Sequence, residues 1–131
     1  VIGEQERQAC NFPIQNLVAD SASLAIRNFT WFKQTYPTYC DFLQLLQVHD
    51  ELVFLVHKDS IQKFCAGYDS PTGRVSSVLQ QCMVENVPIW PCRLDGSAIP
   101  VNEPYHFAID FEVQKNWGEP VSAEELKFLG L

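Results

Sequence analysis

The stretch Leu45-Leu46-Gln47-Val48-His49-Asp50-Glu51-Leu52-Val53-Phe54-Leu55-Val56 constrains the fold more than any other. Two runs rich in Val, Leu and Phe flank a polar triplet, so each run reads as a strand with little solvent exposure. Two adjacent carboxylates do not lie in an apolar strand unpartnered, because an unpaired buried charge is very costly. Their partner is a metal ion, a basic side chain, or water at a tight turn. The simplest geometry is a hairpin of residues 42–48 and 52–57 that pushes Asp50 and Glu51 out at its tip. An ordinary polar turn fits the same pattern, although Glu is uncommon in turns and no Asn-Gly signal is present.

Around this hairpin the chain reads as a mixture of helices and strands. Residues 4–12 are good helix formers, and Pro13 predicts an end or a kink there. A second helix is expected from Gln15 to Gln34, with Leu17, Leu24, Ala25 and Phe29 at helical spacing alongside Ala22 and Phe32. Asp59 or Ser60 can cap a helix using Ile61, Phe64 and Cys65. Residues 67–73 carry a strong loop signal, and helical spacing resumes from Val75 to Val84. Residues 86–104 hold four prolines and read as an irregular excursion with a short strand at Ile89–Leu94. Tyr105 to Val113 alternates and reads as a strand, with His106, Asp110 and Glu112 on one face. Ser122-Ala123-Glu124-Glu125 is a capping-box pattern that opens a short final helix.

The chain has 131 residues, 47% hydrophobic and 19% charged, which suits one globular domain with a modest core. No apolar run reaches the ~18 residues that span a membrane, and no signal peptide pattern opens the chain, so no membrane partner is expected. Five cysteines without a CxxC pair read as free or buried thiols in a reducing, cytoplasmic setting. The net charge of −7 has the wrong sign for a domain that binds DNA alone. The abrupt start without Met reads as mid-domain sequence, as in a fragment or a separately encoded subunit.

Two motifs carry a resemblance. Gln47-Val48-His49-Asp50-Glu51-Leu52-Val53-Phe54 resembles the palm motif of family A DNA polymerases, the family of bacterial DNA polymerase I and many phage replicases. Glu6-Arg7-Gln8-Ala9-Cys10-Asn11-Phe12-Pro13-Ile14-Gln15 is similar to that family's Glu-Arg-x-x-x-Asn-x-Pro-x-Gln segment, and Ala19-Asp20 follows in register. Asn16 departs from the family pattern, where Gly commonly follows the Gln. Asn116-Trp117 resembles the Asn-Trp that closes the last strand of family members. The match covers residues 4–64 and about 105–118, and leaves 67–104 as an insertion without a counterpart. From spacing alone, Arg7, Asn11 and Gln15 form either a solvated helix face or a row able to reach base edges and sugars.

The resemblance implies an α+β fold, the C-terminal part of a polymerase palm, with an antiparallel sheet including the His-Asp-Glu hairpin packed against helices. It implies that residues 1–131 lack the upstream palm, fingers and thumb. Asp50 and Glu51 would be magnesium ligands in a two-metal site completed by residues outside this chain, and His49 would sit beside the primer end. Arg7, Asn11 and Gln15 would lie along the minor groove of the primer–template duplex. The partners would be DNA, deoxynucleoside triphosphates and a second polypeptide or upstream segment with the other catalytic Asp and the nucleotide-gripping fingers. The reaction would be attack of the primer 3′-hydroxyl on the α-phosphate of the nucleotide, in the cytoplasm of a host cell if the chain is phage-encoded. Two alternatives stay open. One is a non-haem iron oxygenase using His49, Glu51 and His106. The other is a non-catalytic accessory subunit with a relict palm.

Overall fold

The computed structural model describes residues 2–48, 50–116 and 118–131. It is α+β, with three two-stranded antiparallel sheets and helices. One long helix, α1 (Ile2–Thr35), supports the rest. The helical run continues through Pro13, where two separate helices are expected from the sequence. Pro13 lacks the N–H that would reach the Ala9 carbonyl, but a single missing bond leaves the ladder on either side intact. The local cost of about 3 kcal/mol is spread over a 34-residue element.

The C-terminal half of α1 carries the core. Ala25, Phe29 and Phe32 are buried, and Phe29 has no exposure. Against them pack β1 (Phe42–Val48) and β2 (Glu51–Val56), an antiparallel hairpin with Phe42 opposite Val56 and Val48 opposite Glu51. The hairpin expected from the sequence is therefore present, with β2 one residue longer at its start and one shorter at its end. The register shifts between Gln44 and Leu46. Leu52, Phe54 and Val56 alternate along β2 and pack on the core, as one face of a strand must. Phe29, Phe42, Phe54 and Phe64 form an aromatic cluster, the closest pair being Phe29 and Phe54 at 4.6 Å.

A single 3₁₀ turn (Lys58–Ser60) leads to α2 (Ile61–Cys65). The cap differs from expectation. His57 Nδ1 accepts from the Asp59 amide, while the Ser60 hydroxyl accepts from the Asp41 amide 2.9 Å away, tying the turn to the start of β1. The loop expected at 67–73 contains a small hairpin, β3 (Tyr68–Ser70) with β4 (Gly73–Val75). The helix expected from Val75 starts later. Ser77 accepts from the Gln80 amide and opens α3 (Val78–Gln80), which widens into a π turn (Gln81–Glu85). Asn28 on α1 anchors this turn by donating to the carbonyls of Cys82 (2.9 Å) and Asn86 (3.0 Å).

Tyr105–Val113 is not a strand. Only the bridge of Ile89 with Tyr105 forms, and the short strand expected at Ile89–Leu94 reduces to that bridge and one between Cys92 and Ala98. Alternation alone does not make a strand, because its amides and carbonyls need a neighbouring ladder. The chain ends with β5 (Gln114–Asn116), β6 (Glu119–Pro120) and α4 (Ala123–Phe128). Ser122 caps α4 by accepting from the Glu125 amide, as its sequence pattern demands. All five cysteines are free. Among the described residues, no helix is long and apolar enough to cross a membrane.

Candidate functional site

The hairpin tip holds Asp50 in the turn and Glu51 as the first residue of β2, both exposed. Exposure removes the desolvation cost that two carboxylates would meet inside a strand. Neither carboxylate has a hydrogen bond or ion pair among the described residues. The tip is therefore an open pair of hard oxygen donors, the chemistry that suits magnesium. Two carboxylates do not fill a magnesium shell, and among the described residues no group of three His, Cys, Asp or Glu side chains could hold a metal. His49, expected beside the tip, and Trp117, expected to close the last strand, lie outside the described residues.

His106 stands apart from the tip in its bonding. Its Nδ1 lies 2.6 Å from the Val84 carbonyl on the π turn, so the ring is pinned to that end of the core.

Arg7, Asn11 and Gln15 all lie on α1 and are exposed. An unbroken helix sets them in one row about 12 Å long, the rise of three to four base pairs. Residues 3–20 are all exposed, so this half of α1 stands clear of the core.

The row faces the same side of α1 as the hairpin. Eighteen residues make five full turns at 3.6 residues per turn, so residues 18 apart are in line along a helix. Arg7 is in line with Ala25, Asn11 with Phe29, and Gln15 with Lys33. Ala25 and Phe29 meet the core. Lys33 Nζ donates to the Phe42 carbonyl at 2.5 Å.

The hairpin also runs toward that end. Phe42 is held at Lys33, while Gln44 donates to the Ile26 carbonyl (3.4 Å) and the Thr30 hydroxyl (3.3 Å). Moving up β1 thus moves toward the N-terminus of α1. The carboxylate tip and the polar row are both exposed, one at the far end of the hairpin and the other on the uncovered arm of α1.

Leu17, which its spacing puts on the apolar stripe of the expected second helix, is exposed at 39%. Phe12, Ile14, Leu17 and Val18 are exposed on the same arm of α1, Phe12 at 62%. Their spacing is a helix signal, but only the fold tells which part of the helix lacks a covering neighbour. No family model matches the chain, and no solved structure matches it.

Proposed function

We propose that this chain is the C-terminal palm part of a family A DNA polymerase and carries out template-directed DNA synthesis with a second polypeptide or upstream segment. The observation that supports the reading is that the hairpin tip and the row of Arg7, Asn11 and Gln15 are both exposed, the row on one unbroken helix. Their two motifs resemble parts of the same polymerase family, and a duplex has to touch both at once. The partner segment supplies the other catalytic Asp and the fingers.

Asp50 and Glu51 would hold magnesium, whose chemistry is to lower the pKa of the primer hydroxyl and neutralise charge on the transferring phosphate. The carboxylates supply fixed negative charge at an open tip, and substrate phosphates complete the shell. His49 would lie beside the primer end. Arg7, Asn11 and Gln15 would test duplex shape through the minor-groove acceptors that every correct base pair presents. Arg7 has no ion-pair partner among the described residues, so its charge is available to DNA. The natural setting of such an assembly is the cytoplasm.

The test is magnesium-dependent primer extension by the chain co-expressed with its upstream genomic neighbour. Asp50→Ala should lower the rate roughly a thousandfold, about 4 kcal/mol of transition-state stabilisation. Asn11→Ala should lower kcat/KM about tenfold, the worth of one hydrogen bond. Extension by Asp50→Ala at the wild-type rate would remove the hairpin tip from the active site and leave the accessory-subunit reading.

A further inference from the structure

A groove of about 490 Å³ opens between α1 and the π turn, with Arg27, Asn28, Trp31, Tyr36, Gln81 and Asn86 among its lining residues. That volume is in the range of small-ligand sites. Trp31 is 57% exposed, a large aromatic face left to water. Tyr36 lies beside it, ring centroids 6.2 Å apart and the rings at 87°. Arg27 sits one turn earlier on α1 and has no ion pair among the described residues.

The opposite wall is held by amides. Asn28 donates to Cys82 and Asn86, Asn86 donates to the Gln81 carbonyl at 2.8 Å, and Gln81 donates to the Ser76 carbonyl at 2.8 Å. Both N–H groups of Asn28 are spent on backbone, while Asn86 and Gln81 each use one, so this wall offers side-chain carbonyl acceptors together with remaining N–H donors. No carboxylate lines the groove. The one acid on the π turn, Glu85, accepts from the Ser76 hydroxyl at 2.8 Å. In a chain of net charge −7, a groove with a free cation and no acid favours an anion.

We propose that this groove binds single-stranded DNA, with one base stacked on Trp31 and a phosphate on Arg27. An aromatic face and a cation one helical turn apart match the two parts of a nucleotide. The wall amides offer carbonyl acceptors and N–H donors to a base edge, including the N3–H and carbonyl oxygens of thymine. The inference rests on the reading that the chain works on DNA, and it names a contact with unpaired strand that the tip and the minor-groove row do not make.

The test uses the full chain with Trp90→Phe and Trp117→Phe, so that Trp31 alone reports. Titration with a short deoxythymidine oligonucleotide at low salt should quench its fluorescence saturably, with weaker binding as salt rises. By labelled-oligonucleotide anisotropy, Trp31→Ala should weaken binding by roughly 5- to 150-fold, and Trp31→Phe by less. Arg27→Ala should weaken it and flatten the salt dependence. Both residues are exposed, so circular dichroism should match the parent chain. Binding that is absent, or equal in Trp31→Ala and the parent, overturns the assignment. If the assembled enzyme extends primers yet shows no Trp31-dependent binding, the groove alone is wrong. If Trp31-dependent binding appears without primer extension, the groove stands and the polymerase reading fails.

Discussion

Phe29→Ala should be among the most damaging single changes to the fold. The ring is fully buried, with its centroid 4.6 Å from that of Phe54, 6.0 Å from Phe42 and 6.1 Å from Phe64. It is where α1, the hairpin and α2 meet. Truncating a buried Phe to Ala costs about 3 to 5 kcal/mol, more where the surroundings cannot collapse. Here collapse is opposed by the Lys33–Phe42 and Gln44–Ile26 bonds, which fix the hairpin on α1, so about 4 kcal/mol is expected. With a urea m-value of about 1.5 kcal/mol/M, the midpoint moves down by roughly 2.5 M at unchanged m. Phe29→Leu keeps most of the volume and should cost about 1.5 kcal/mol, roughly 1 M in midpoint. This milder variant keeps the comparison usable if Phe29→Ala does not fold. Phe12→Ala is the control. It lies on the exposed arm of the same helix and should change stability by less than about 0.5 kcal/mol. Equal shifts for Phe29→Leu and Phe12→Ala would refute the placement of the core on the C-terminal half of α1.

Four other outcomes follow from particular residues. Gly67 has φ of +73°, and a Cβ there would strike the Val75 carbonyl oxygen and come within 2.8 Å of the Ser77 amide nitrogen; Gly67→Ala should cost about 2 kcal/mol or more in urea unfolding. Pro13→Ala restores one helical bond and removes a penalty of up to about 3 kcal/mol, so amide exchange at residues 9–17 should slow and the urea midpoint should rise. Burial pushes the Cys65 and Cys82 thiols up to about 12, from an ordinary value near 9. The folded chain keeps these protons while the unfolded chain releases them, so stability should fall as pH rises past about 9, and less steeply in Cys82→Ala. At pH 8 a thiol reagent should modify Cys10 and Cys92, which are exposed, well before Cys82, which is buried.

The hairpin was legible because its signal is local. Val, Leu and Phe runs interrupted by three polar residues have few other solutions, and Val48 does face Glu51 across the turn. The Ser122 cap was legible for the same reason. What was not legible depends on partners distant in sequence. Nothing in Tyr105–Val113 says that no strand will lie beside it. Nothing in Ser60 says that its hydroxyl will serve Asp41 rather than its own helix. Pro13 shows the opposite failure, a strong local signal overruled because a long helix tolerates one missing bond. Within the candidate site, residue types and the spacing of four were visible in the sequence. That Asn11 is in line with Phe29, and so on the hairpin's side, needed the unbroken helix.

The distribution of charge bears on how this chain could meet DNA. Residues 95–131 hold seven carboxylates against two lysines, a net of −5, so the remaining 94 residues account for only −2 of the total −7. The acid excess is thus concentrated beyond the elements that carry the tip, the polar row and the groove. Those elements still offer few cations, and phosphate binding scales with their number. A two-stranded hairpin is marginal alone, and Leu43 and Leu55, opposite each other across it, are exposed at 49% and 59%. The arm of α1 is uncovered in the same way. A polypeptide that packed on these apolar surfaces while bringing Lys and Arg to the tip and the polar row would correct both deficits at once. That is what the partner segment of the proposed polymerase has to provide.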